Sequence, residues 1–195
     1  MNNVLTTYHG AKESGSCRLP SEDYAYTNPV ALGNINSLQY IKFQGNLCGH
    51  VLQIDCGKGK LYITVTNSNL GGGLDLYASS WNKATNYLSP GQQYCSVQLT
   101  SLNSLNANSP KCYHATTETQ NLYYRSVGLL NTGDKIVTKA VYKGINGVNN
   151  GGDFYYTFNG YGTNSDQVTF FFQDGTTYSV PLSNCLGNSN YQIWS

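Results

Sequence analysis

The stretch Leu61-Tyr62-Ile63-Thr64-Val65-Thr66 alternates with a period of two, and Gln167-Val168-Thr169-Phe170-Phe171-Phe172 gives a second, nearly continuous β run. Gly, Asn and Asp bound both runs, and Lys58-Gly59 and Asp174-Gly175 are natural hairpin turns beside them. Outward from these runs the texture persists. Only 11% of the 195 residues are charged, while Tyr, Asn, Gly, Ser and Thr abound, which reads as a β-rich chain without long helices. One segment has helical spacing: Ala78 to Leu88, after Asp75, puts Trp81, Ala84, Thr85 and Leu88 on one face.

A chain of this length holds one large domain or two small ones of about 100 residues each. Between Thr100 and Leu122 the composition turns to Ser, Asn, Thr and Pro with few apolar anchors, as in an interdomain connection. The division expected is 1–105, a linker over 106–122, and 123–195, the last with five or six short strands and Gly/Asn turns, the pattern of a small β-sandwich. Eleven basic against ten acidic side chains, without clusters, exclude nucleic acid as a partner. No run of about eighteen apolar residues appears, so no membrane partner is expected, and a monomer is. The start Met1-Asn2-Asn3-Val4 lacks a leader's apolar core and fits a mature form.

Six cysteines, Cys17, Cys48, Cys56, Cys95, Cys112 and Cys185, form an even set without a Cys-x-x-Cys pair, which points to disulfides and a secreted protein. Fifteen pairings are open. No asparagine opens an Asn-x-Ser/Thr sequon, which suits a secretion route without N-glycosylation or one that selects against it. His50 and His114 have no metal-site spacing, and Gly71-Gly72-Gly73 and Gly151-Gly152 lack a phosphate-binding pattern, so neither metal nor cofactor is expected.

Six blocks then follow one another in a recognisable order: Thr7-Tyr8-His9-Gly10, Gly15-Ser16-Cys17, Pro29-Val30-Ala31-Leu32, Cys48-Gly49, Ile63-Thr64-Val65-Thr66-Asn67 and Gly73-Leu74-Asp75-Leu76. Together they resemble the six-stranded double-psi β-barrel of expansin-like proteins. The second half resembles the expansin carbohydrate-binding domain, an Ig-like β-sandwich, more loosely, through Tyr123-Tyr124-Arg125, Asn159-Gly160-Tyr161-Gly162 and Val168 to Gly175 before Pro181. The resemblance implies a secreted protein that binds cell-wall polysaccharide, whether cellulose-like, chitin or peptidoglycan, and loosens it without hydrolysis. It also implies a Cys17–Cys48 bridge, which leaves Cys56 with Cys95 and Cys112 with Cys185.

The residues that the resemblance assigns to polysaccharide are Tyr8, His9, Asn67 and Asp75 on the barrel and Tyr123, Tyr124 and Tyr161 on the sandwich. The chemistry is general, since flat rings cover sugar C–H faces while amides, hydroxyls and carboxylates bond the hydroxyls. In a regular strand Tyr123 and Tyr124 point to opposite faces, so only one stacks unless a bulge intervenes. Asp75 matches the acid of hydrolytic relatives, and its alternative is a helix N-cap. Hydrolysis needs a second carboxylate about 5–10 Å away, and none is found: the family's frequent Asp is Asn67 here, and Asp55 reads as structural. A non-enzymatic binder is therefore expected. The alternatives are a glycoside hydrolase or lytic transglycosylase with Asp75 as acid, and a barwin-like protease inhibitor or defence protein.

Overall fold

The computed structural model describes residues 1–119 and 121–195. Strands β1 (Val4–His9), β2 (Pro29–Gly33), β3 (Val51–Asp55), β4 (Lys60–Asn69), β5 (Leu74–Tyr77) and β6 (Gln92–Leu99) close into a barrel in the order β1-β5-β2-β4-β3-β6. The β1–β5 and β2–β4 pairs are parallel and the others antiparallel. Closure removes every sheet edge from the first half. Its interior is aliphatic: Val30, Leu32, Leu52, Ile54, Ile63, Val65, Leu74 and Leu76 are fully buried. The β3–β4 hairpin turns at Cys56 to Gly59, where Asp55 Oδ1 accepts the amides of Gly57 at 2.8 Å and Gly59 at 3.2 Å. Asp55 is thus structural, as expected.

Helix α1 (Ala78–Thr85) follows β5 and buries Trp81, Ala84 and Thr85. It stops short of the expected Leu88, because Asn86 turns left-handed at φ 57° and leaves Leu88 outside.

The second half is two sheets around one core. Strands β8 (Tyr124–Leu130) and β11 (Tyr155–Asn159) join β7 (Lys111–His114) in the order β11-β8-β7. Strands β9 (Val137–Tyr142), β10 (Ile145–Asn146), β12 (Gln167–Phe172) and β13 (Thr177–Pro181) form the order β10-β9-β12-β13. Val127, Leu129, Tyr156 and Phe158 from the first sheet meet Ala140, Tyr142, Val168 and Phe170 from the second. The bridges are Cys17–Cys48 and Cys56–Cys95 in the barrel and Cys112–Cys185 between β7 and the chain after β13, the same pairs that the resemblance leaves.

Two features differ from the expected division. The stretch 106–122 contains strand β7, which pairs with β8 over Lys111–His114. Its four residues are too few for a readable alternation, and their partners lie elsewhere in the chain. Residues 186–195, assigned with the second half, leave the sandwich at Leu186, which bridges Tyr113 of β7, and cross back to the barrel half, where Tyr191 bridges Pro20 and Trp194 bridges Glu13. Trp194 is buried, with its ring 4.9 Å from that of Tyr24.

The halves are joined tightly. Tyr113, Leu130, Phe154 and Tyr155 pack into the barrel's apolar cluster. Around them Arg18 pairs with Asp153, and Glu22 accepts the Tyr113 hydroxyl at 2.8 Å and Lys111 Nζ at 3.1 Å. His50 Nδ1 meets the Gly133 carbonyl at 2.8 Å.

Candidate functional site

Strand register alone assembles the first part of the site. Thr7 of β1 pairs with Asp75 of β5, Asp75 with Ala31 of β2, and Ala31 with Asn67 of β4. In-register residues share a face, so Thr7, Asp75, Ala31 and Asn67 form one row across four strands. Asn67 joins that row because β4 is bulged at Thr66: Val30 pairs with Val65, but Ala31 already pairs with Asn67. Alternation adds His9, two residues after Thr7, and Tyr77, two after Asp75.

Asp75 sits within β5 and is no cap; the helix N-cap is Tyr77 and makes no side-chain cap bond. Asp75 Oδ1 accepts the Thr7 hydroxyl at 2.6 Å, and Oδ2 lies 3.1 Å from His9 Nδ1. The opposite nitrogen, His9 Nε2, lies 3.0 Å from Oε1 of Glu13. The same oxygen accepts Asn67 Nδ2 at 2.8 Å and the Tyr77 hydroxyl at 3.2 Å. Asn67 Oδ1 in turn accepts the amides of Ser16 at 2.8 Å and Ser68 at 2.9 Å. Burial pushes the Tyr77 hydroxyl up to about 12, which keeps it a donor to Glu13 at ordinary pH. The His9 ring stands 4.4 Å from the Tyr77 ring, edge to face. A neutral imidazole donates to only one of its two carboxylates, whereas the doubly protonated ring donates to both.

Glu13 reaches this position on the loop between β1 and Cys17, which is clamped from both sides. Its amide donates to the Trp194 carbonyl at 3.0 Å, and the Trp194 amide donates back at 2.8 Å. Gly15, at φ +71°, lies so close to the Thr66 carbonyl that a Cβ would stand 2.2 Å from it, so only glycine lets the loop seat on β4.

Tyr8 is not part of this cluster. It falls on the opposite face of β1 from Thr7 and His9, and its ring stands perpendicular to that of Trp81 at 6.1 Å.

The sandwich contributes a separate feature. Tyr123, Tyr124 and Tyr161 are 70%, 41% and 60% exposed, in a molecule whose other large aromatics on these strands are buried. Tyr123 lies just before β8, outside its regular alternation, so both neighbouring tyrosines reach solvent. The loop after β11 is stitched to this segment: Gly160 donates to the Tyr123 carbonyl and Gly162 to that of Leu122, each at 3.0 Å. The rings of Tyr123 and Tyr161 are consequently 5.7 Å apart, tilted by 55°. Below them Arg125, buried over the Tyr142 ring at 5.9 Å, donates to the Gly162 carbonyl at 3.4 Å and Asn164 Oδ1 at 3.2 Å, which holds the loop that carries Tyr161. Gly162 has no alternative, since a Cβ there would overlap the Tyr142 hydroxyl at 1.3 Å.

The structure therefore brings His9, Asn67 and Asp75 together, sets Tyr123 beside Tyr161 with Tyr124 exposed next to them in the chain, and leaves Tyr8 out. Thr7 and Tyr77 were legible from alternation around His9 and Asp75. Glu13 was not: it stands in a Gly-bounded loop with no periodicity, and only the fold of that loop onto Asn67 and Trp194 brings it in. Among the described residues no cluster of three His, Cys, Asp or Glu is arranged to hold a metal ion.

No protein-family model matches the chain, and no curated protein does. Solved structures do. A single-residue variant of Clavibacter michiganensis expansin in complex with cellohexaose superposes with a TM-score of 0.70 at 16% identity, over 100% of this chain and 95% of that one. The apo form of the same expansin gives 0.66 at 16% identity over the same shares. The chain is expansin-like in fold along its whole length.

Proposed function

We propose that this chain is a secreted, non-enzymatic polysaccharide-binding protein, its barrel of the double-psi type and its sandwich of the expansin carbohydrate-binding type. The neighbour crystallised with cellohexaose makes a β-1,4-glucan the first polymer to consider. The observation that carries the reading is the trio of exposed tyrosines on the sheet whose other end abuts the barrel. Strand β11 links the two features. Tyr155 lies beside Arg18, which follows the Ser16 that bonds Asn67, and Asn159, at the other end, pairs with Tyr124. Tyr155 is buried at the junction with the barrel, and the same face of β11 opens from there through half-buried Thr157 to exposed Asn159, about 13 Å along the strand at ~3.3 Å per residue.

Rings on the sandwich would cover sugar faces, and the polar cluster of the barrel would exchange hydrogen bonds with hydroxyls. Contacts between wall polymers are individually worth on the order of 1 kcal/mol, so a lined groove can displace several without covalent chemistry. Hydrolysis is the second reading, favoured by Glu13. The Asp75 and Glu13 carboxylates are separated by one imidazole and two hydrogen bonds, no more than about 8 Å, within the span glycosidases use. The His9 ring fills that gap, where a water and a sugar would have to stand, and this favours binding.

The test is retention on microcrystalline cellulose, xylan, chitin and peptidoglycan, with reducing ends assayed in parallel. Wild type is expected to be retained on cellulose and Tyr161→Ala to be released, without new reducing ends. No retention on any polymer overturns the reading, and reducing ends that vanish in Asp75→Asn replace it with hydrolysis.

A further inference from the structure

Asp75 is the residue the sequence singles out, yet in the folded chain its two oxygens are already engaged, one by the Thr7 hydroxyl and one by His9 Nδ1. The Asn67 amide is likewise committed on both sides: Oδ1 to two backbone amides, Nδ2 to Glu13 and to the Tyr77 hydroxyl. Glu13 is built differently. Its Oε1 collects His9, Asn67 and Tyr77 together, while Oε2 has no partner among the described residues. The side chain is 41% exposed, against 19% for Asp75. An oxygen held in place through its twin, and itself open to solvent, is an acceptor ready for a ligand hydroxyl.

We propose that Glu13 is the carboxylate that meets the sugar, through Oε2, and that Asp75 is a positioning residue acting through His9. The assignment rests on the polysaccharide reading and adds the residue that makes the contact. The ligand class is a neutral saccharide with vicinal hydroxyls, since an anionic polymer would bring its charge against Glu13 and Asp75. The chain of support runs from Thr7 through Asp75 and His9 to Glu13, and separately from Trp194 to the Glu13 backbone. The fixed part of the carboxylate thus survives substitution of the free part.

The experiment compares wild type, Glu13→Gln, Asp75→Asn and Tyr161→Ala for binding of cellohexaose by calorimetry, with thermal melts as a check on folding. Glutamine keeps an oxygen for Asn67 and Tyr77 and turns the free acceptor into a donor. Loss of one charge-assisted hydrogen bond is expected to weaken Glu13→Gln by about tenfold or more. Asp75→Asn is expected to stay within about threefold of wild type while the nitrogen resonances of the His9 ring move, which a bystander would not cause. Glu13→Gln binding like wild type, or Asp75→Asn losing more than Glu13→Gln, overturns the assignment. If wild type binds and Tyr161→Ala does not, that failure leaves the polysaccharide reading standing. If wild type itself binds no cellohexaose, both fall.

Discussion

The barrel cluster and the sandwich tyrosines solve opposite problems. In the barrel, the polar atoms of Asp75, Asn67, Tyr77 and His9 are engaged by one another, by Thr7, by two backbone amides and by Oε1 of Glu13, so the cluster is rigid and offers one open oxygen on Glu13. On the sandwich, Tyr123, Tyr124 and Tyr161 offer flat area, and rigidity comes from beneath, through Arg125 and the glycine amides. A preorganised acceptor supplies selectivity and exposed rings supply contact area, because a hydrogen bond depends on tenths of an ångström while stacking tolerates sliding. The seam between them is the third element: residues 186–195 leave the sandwich and hold the Glu13 loop of the barrel.

That seam is where the comparison breaks most easily. Trp194→Ala removes a buried ring and is expected to cost about 3–5 kcal/mol in a denaturation experiment. It should also loosen the Glu13 loop, so cellohexaose affinity falls further than for an equally destabilising change inside the sandwich core. Next in size is the platform. Tyr123→Ala and Tyr161→Ala are each expected to weaken cellulose retention by roughly tenfold, about 1.4 kcal/mol, with unchanged melting temperature. Tyr87→Ala, an exposed tyrosine just past α1, should leave retention as it was.

Acid acts on the stability of both halves. Burial pulls the imidazoles of His50, at the junction, and His114, in β7, below their ordinary range, and the charge of Arg125 adds to the effect at His114. Both stay neutral in the folded chain where the unfolded chain takes up protons. Their contribution is therefore complete above about pH 6.5 and is lost as pH falls below it toward the folded-state values. Melting temperatures from pH 7.5 to 4.5 should decline, and His114→Asn should flatten part of that slope; an unchanged slope would refute the account. The smallest effect is expected at Asp55→Ala, which frees two hairpin amides at about 1 kcal/mol and leaves binding untouched.

Much of this was readable in the chain. Six ordered blocks gave the expansin-like resemblance, which the superposition bears out as fold, and the three bridges are the pairs it left. Asp75, His9 and Asn67 were named from motifs and do converge. Tyr8 was named with them, although strand alternation already separated it from Thr7 and His9. The linker assignment missed β7, whose Cys112 and Tyr113 bury themselves in two different cores and so leave no stripe in the sequence.

Local chemistry, then, determined the β-rich character, the cysteine framework and the residues that bracket the site, because alternation, turns and motif order are written in neighbouring residues. Tertiary structure alone decided that Glu13 stands against His9, that the end of the chain returns to the barrel through Tyr191 and Trp194, and that Asp75 is occupied. Each of those depends on a loop or tail meeting a partner far away in the chain. Such meetings are set by packing of the whole molecule and leave no periodic trace in the residues that take part.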